Sequence, residues 1–163
     1  MSWFNRSNDS SNTSPDLLTS ILYDEVTFYN QFILDLSAVS REVIIESPFI
    51  SSNRMRRLRP IFRKLINKDV KVFIMTRDPK EHGEEYEIQS EEEIRYFESI
   101  GVQVLLCVGN HHRKLAILDR KILWEGSLNI LSQTHSREIM RRIDSSSLSK
   151  EMFKFLKLGK WIY

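Results

Sequence analysis

Residues 112–119 read His112-Arg113-Lys114-Leu115-Ala116-Ile117-Leu118-Asp119, and residues 126–129 read Gly126-Ser127-Leu128-Asn129. Leu115 to Leu118 is an apolar run closed by Asp119. Arg120-Lys121 is charged, and Ile122-Leu123-Trp124 is apolar again. Two apolar runs around a charged turn predict a β-hairpin. Residues two apart on a strand share a face, so His112 and Lys114 point one way and Arg113 the other. One face then carries an imidazole beside a fixed positive charge. That pair suits a phosphodiester, whose oxygens gain charge density as the leaving group departs and whose charge an ammonium can hold. Gly126 lets backbone approach a ligand closely, and the amide of Asn129 offers two N–H donors to a phosphate.

Together, H-x-K-x4-D and the following G-S-x-N resemble the signature of the phospholipase D superfamily. That superfamily breaks phosphodiester bonds through a histidine nucleophile and includes nucleases as well as lipases. The resemblance implies roles for individual residues. His112 is the expected nucleophile, forming a phosphohistidine. Lys114 and Asn129 are expected to bind the phosphate, with Ser127 adding a hydrogen bond. Asp119 matches the motif's aspartate, whose part is more structural than chemical. Glu138, in Ser136-Arg137-Glu138-Ile139-Met140, matches a downstream glutamate that holds the histidine through its other ring nitrogen. A carboxylate has that orienting role at other histidine sites. The resemblance implies no metal and no cofactor, and no Cys or His pair in the chain has metal-ligand spacing.

The remaining histidines read differently. His111 faces away from His112 and is expected in a loop or at the surface. His82 lies in an acidic stretch and is expected to be solvated. His135 sits in a polar loop and is a possible substrate contact.

The chain has 163 residues, 41% apolar and 28% charged, enough for one domain with its own core. A net charge of +2 is a weak argument for a polyanionic partner, so local charge carries more information. Cys107 is the single cysteine and is expected inside a strand as a buried thiol. No disulfide framework is possible within one chain, which fits a cytoplasmic location. No apolar run is long enough to span a membrane, and the start lacks the pattern of a signal peptide.

In chain order, residues 1–16 read as a flexible leader and 17–163 as one phospholipase D-like catalytic domain. A broad apolar face predicts a helix over 17–37. Residues 42–49 form a strand ending at Ser47-Pro48-Phe49, a strand-then-turn arrangement also similar to the superfamily's first βα unit. Ser52-Asn53 caps an arginine-dense helix to about Asn67, interrupted by Pro60. A strand over 71–76 follows, then a charged loop over 77–89, which the resemblance implies as a rim of the substrate cleft. Ser90 caps a helix ending at Gly101. Strands over 102–108 and 137–143 flank the hairpin, residues 130–136 form a short helix or loop, and a basic helix spans 150–160. The order predicts an α/β fold, a mixed sheet sandwiched between helices.

The superfamily commonly uses two H-x-K motifs, one histidine to attack and one to protonate the leaving group. This chain has one, so a homodimer that brings two copies of His112 together is expected. The arginines of 54–63, Arg137, Arg141, Arg142 and the C-terminal lysines favour nucleic acid, DNA ahead of RNA. The expected activity is a metal-independent nuclease. A lipid phosphodiesterase and a catalytically silent nucleic-acid-binding module are the alternatives. The short single-motif chain also resembles nuclease modules attached to helicases or restriction enzymes, so it is expected as a fragment of, or partner to, a larger protein.

Overall fold

The computed structural model describes residues 19–132 and 135–162; the expected leader lies outside them. In chain order the elements are β1 (Ile21–Asp24), α1 (Phe28–Ser37), β2 (Glu42–Glu46), α2 (Ser52–Ile66), β3 (Lys71–Arg77), α3 (Glu84–Ser99), β4 (Gln103–Cys107), β5 (Leu115–Leu118), β6 (Ile122–Gly126), β7 (Ile139–Asp144) and α4 (Ser146–Phe155). Short 3-10 turns lie at Pro79–Glu81 and Leu158–Lys160.

The strands form one seven-stranded mixed sheet in the order β1-β7-β6-β5-β2-β3-β4. β2, β3 and β4 run parallel, because α2 and α3 supply the crossovers between them. β5, β6 and β7 follow one another antiparallel, and β5 closes against β2. Alternation along each strand divides the core. Val43, Ile45, Ile74, Ala116 and Trp124 pack with α1, α2 and α3 on one face. Ile44, Phe73, Leu115, Ile117 and Ile143 pack with Phe153, Leu158 and Ile162 on the other. β2 is therefore covered on both faces, which is why it reads as an unbroken apolar run. This is the expected α/β sandwich.

The expected helix over 17–37 is instead a strand and a shorter helix. The Asp24 carboxylate accepts hydrogen bonds from the Val26 and Thr27 amides and the Thr27 hydroxyl, turning the chain before α1 begins. Upstream, Tyr23 packs on Trp124 with ring centroids 5.0 Å apart, while Leu22 faces solvent. The loop expected over 77–89 is largely helical. α3 starts at Glu84 with three glutamates in its first turn, where the helix dipole favours them, and Ser90 lies buried inside it rather than capping it. Pro60 sits within one continuous α2, whose N-cap is Ser51. The terminal helix begins earlier than expected, at Ser146, where the Ser145 hydroxyl accepts from the Leu148 amide. Cys107 lies in a strand as expected but is half-buried rather than fully buried, at the end of the edge strand β4.

Asp35 ties α1 to the sheet. Its buried carboxylate accepts from Trp124 Nε1 at 2.9 Å, Arg142 Nε at 2.7 Å and Gln31 Nε2 at 3.0 Å. Asp35→Ala leaves a mostly buried guanidinium and an indole N–H without their acceptor. We expect a loss of about 3–5 kcal/mol, read as a lower urea midpoint at unchanged slope.

Candidate active site

β5 begins at Leu115, so His112 and Lys114 precede the strand rather than lie on it. The expected shared face is nonetheless realised. Lys114 Nζ lies 2.9 Å from His112 Nδ1 and donates to the His112 carbonyl at 2.8 Å. The same ammonium lies 3.3 Å from His112 Nε2, so it sits close to the ring as a whole. Partial burial holds the Lys114 ammonium below the usual lysine range, opposed by the charge of Glu138. Both side chains line an open cavity of about 570 Å³, with Glu125, Gly126, Ser127 and Arg141 on its other walls. Glu125 and Arg141 were not expected at the site. Period-two alternation back from Ser127 along β6 and on from Ile139 along β7 places them there.

Ser127 stands where β6 meets β7. Its amide donates to the Ile139 carbonyl at 2.9 Å, and its hydroxyl accepts from the Ile139 amide at 3.0 Å while donating to Glu138. Its polar groups are thus engaged between strands, not left free for a phosphate. The Glu138 carboxylate also accepts from Ser136 Oγ at 2.6 Å. These serines, rather than the His112 ring, are its hydrogen-bond donors among the described residues. Asn129 is half-buried outside this cavity lining, and its Oδ1 has no hydrogen-bond partner among the described residues. Gly126 faces protein backbone: a Cβ there would lie 2.1 Å from the Ile139 carbonyl oxygen. Close approach of a neighbouring strand, not only of a ligand, explains that glycine.

Residues 33–158 match the family profile described as cardiolipin synthase, PLD-like domain. The chain belongs to the phospholipase D superfamily. Members of this superfamily are phosphodiesterases. The fold is similar to Nuc from Salmonella typhimurium, a phospholipase D family member, with a TM-score of 0.69, 14% identity, and coverage of 85% of this chain and 91% of that one. It is also similar to NucT from Helicobacter pylori (TM-score 0.64, 19% identity, 85% and 92% covered). Phosphatidylserine synthase from Haemophilus influenzae shares it over 85% of this chain and 38% of that one, at a TM-score of 0.62 and 15% identity. No curated protein matches the chain in sequence.

Within this phospholipase D-like frame, the motif aspartate is far from the cavity. Asp119, counted with the catalytic motif but expected to be more structural than chemical, lies at the other end of β5 from His112. Its carboxylate accepts from the amides of Ser40 (3.0 Å), Arg41 (2.8 Å) and Glu42 (3.0 Å), fixing the entry to β2. Asp119 and Arg120 both take left-handed backbone, at φ 51° each, to close the hairpin. Partial burial alone would raise the Asp119 carboxyl. The amides of Ser40, Glu42 and Arg41 outweigh it and hold the group below the usual range. Such a group stabilises the fold above the ordinary carboxylate range and loses that effect as pH falls through its depressed value. Asp119→Asn is therefore expected to be about 1–3 kcal/mol less stable near neutrality, with the gap closing on acidification, as urea midpoints across about pH 3–7 would measure.

The other expected positions divide. His135 is exposed and outside the cavity lining. His82 is not freely solvated: it packs on Phe49 with centroids 4.8 Å apart, and burial first, then Arg77, lowers its pKa. His111 is not at the surface, since its side chain is only 6% exposed beside Glu46. In the arginine helix, Arg59 pairs with Glu93 and lies over Tyr96, and Arg54 covers the Tyr29 ring at 3.5 Å. Arg57 and Arg63 remain exposed, so this helix is part structural and part cationic surface. No helix among the described residues is long and apolar enough to cross a membrane.

Proposed function

We propose that the chain is a metal-independent nuclease, cutting DNA ahead of RNA through a phosphohistidine on His112, with the site completed by a second copy of the chain. The observation that carries this reading is the His112–Lys114 pair at 2.9 Å on an open cavity. Lys114 holds the non-bridging oxygens. A neutral His112 attacks phosphorus, the P–N bond forms, and the P–O bond to the leaving group breaks. The departing oxygen takes a proton from the imidazolium of the second copy's His112. Water, deprotonated by that same ring, then cleaves the P–N bond and restores both histidines.

Three features support a homodimer and a nucleic-acid substrate. The chain carries one H-x-K. The sheet face beside the cavity is uncovered, with Leu22 57% and Ile139 61% exposed. Arg113 and Arg141 line the same cavity as the reacting pair. The homodimer also accounts for a mechanism that needs a second imidazole.

The cardiolipin synthase description of the family profile favours a second reading, a lipid phosphodiesterase. One experiment separates the two: labelled single- and double-stranded DNA and RNA, and phosphatidyl vesicles, incubated with the protein in EDTA. Nucleic-acid cutting under chelation supports the nuclease. Turnover of vesicles alone moves the assignment to lipid, and cutting restored only by added metal ends the metal-independent reading.

A further inference from the structure

Residues 109–114 form an irregular loop, yet two carboxylates from other parts of the fold hold it. Glu81, after β3, accepts from the Gly109 amide at 2.7 Å and the Asn110 amide at 3.1 Å. Arg77 secures Glu81 at 3.0 Å and Asn110 Oδ1 at 2.6 Å. The other end of the loop meets Glu46, the last residue of β2, whose side chain is fully buried. Glu46 Oε2 lies 2.8 Å from Arg113 Nε and 3.3 Å from His111 Nε2.

Those two neighbours flank His112. Both reach Glu46, His111 nearly buried and Arg113 still lining the cavity, while His112 is exposed and meets Lys114 there. A group that holds the residues on both sides of His112 limits the directions open to the residue between them. Arg113 is the charged partner of Glu46 and His111 a polar neighbour; neither Glu46 oxygen nor His111 Nε2 has an aligned hydrogen-bond partner among the described residues. A buried carboxylate so weakly satisfied is costly for a fold that needs it only for packing.

We propose that Glu46 is a positioning residue, gripping His111 and Arg113 so that His112 faces the cavity. This rests on the reading of His112 as nucleophile. The grip is also sensitive to pH. Burial pushes the Glu46 carboxyl above the usual glutamate range, with Arg113 opposing. Burial, and then Arg113, Lys114 and His112, push the His111 imidazole down. Cys107 on β4 has its thiol raised by burial and by Glu46, while the register partners of Glu46, Met75 and Leu115, are apolar. The ionised grip exists above the raised value for Glu46. It is lost on acidification earlier than for an ordinary glutamate, as the attraction for Arg113 disappears.

The test compares wild type, Glu46→Gln, Arg113→Gln and the double variant. Turnover of bis(p-nitrophenyl) phosphate, a generic diester, is followed against pH. In parallel, NMR of the histidine rings is titrated without substrate. Arg113 is about half exposed, at 47%, so replacing it opens no core cavity, and the double variant leaves no unpaired buried charge if either single variant fails to fold. We expect each single variant to lower kcat about 10- to 100-fold, with little change in KM for Glu46→Gln and a raised KM for Arg113→Gln, which also removes a cavity cation. The double variant should be no worse than either single one, and in Glu46→Gln the acid limb of kcat should flatten. In wild type, a shared step in the His111 and His112 resonances should accompany the loss of activity and vanish without the Glu46 carboxyl. Additive losses, an unchanged acid limb, or a His112 resonance indifferent to Glu46 would overturn the proposal. If wild type cleaves no diester, the nuclease reading fails on its own, and the NMR step still decides whether Glu46 governs His112.

Discussion

His112→Ala is expected to lose at least about 10⁴-fold in diester cleavage, because a covalent nucleophile cannot be replaced by the remaining binding groups. The variant should fold normally. His112 is exposed, and its contacts are with Lys114 at the cavity mouth rather than with the core. Stability should therefore move by less than about 0.5 kcal/mol. Nucleic-acid binding should survive, since Lys114, Arg113 and Arg141 still line the cavity. Retained binding with lost cleavage separates a nuclease from a module that only binds. The same variant tests the shared site. If each site needs His112 from two copies, wild type mixed and re-equilibrated with an equal amount of His112→Ala leaves only the wild-type pairs active. The pool then retains about one quarter of the rate of all-wild-type protein at the same total concentration, against about one half if each chain works alone. A result near one half would leave the mechanism without its second histidine and rule out the homodimeric site.

What could be read in advance follows from how far each determinant lies along the chain. The β5–β6 hairpin is local: two apolar runs and a charged turn specify it, and the structure pairs Leu115 with Glu125 and Leu118 with Ile122. The parallel β2 and β3 announce themselves by apolar runs buried on both faces. β1 does not. Its four residues adjoin the apolar residues of α1, so one helical period absorbs both, and only the pairing with β7 separates them. The first turns of α3 escape notice for the opposite reason. Tyr86 and Ile88 are exposed, at 64% and 61%, so no buried stripe marks the helix there. At the site, His112 and Lys114 share a cavity as their spacing suggested, although they precede the strand and Arg113 between them lines the same cavity. The partners of Ser127, Glu138 and His111 depend on strand register and on a carboxylate from β2, and neither is visible in a short motif.

Gly126 shows how tightly that register is held, and Gly126→Ala is expected to be severely destabilising. The added methyl would sit 2.1 Å from the Ile139 carbonyl oxygen and 2.9 Å from Met140 Cα. These are backbone atoms, so no rotamer change relieves the overlap. The only response is to part β6 from β7 where Gly126 pairs with Met140. The same Ile139 carbonyl accepts from Ser127 at 2.9 Å, and the Ile139 amide donates to the Ser127 hydroxyl at 3.0 Å. Parting the strands therefore releases Ser127, which lines the cavity with His112, and through it Glu138. We expect a loss of about 3 kcal/mol or more, at or beyond the upper end for overpacking, together with a fall in kcat in whatever protein remains folded. Gly159→Ala supplies the control. Its methyl would meet Phe153 at an ordinary 3.6 Å, so its urea midpoint should stay within about 0.5 kcal/mol of wild type. If both alanine variants unfold at the wild-type midpoint, β6 and β7 do not approach as closely as described here. The serine–glutamate arrangement that depends on their approach would fall with it.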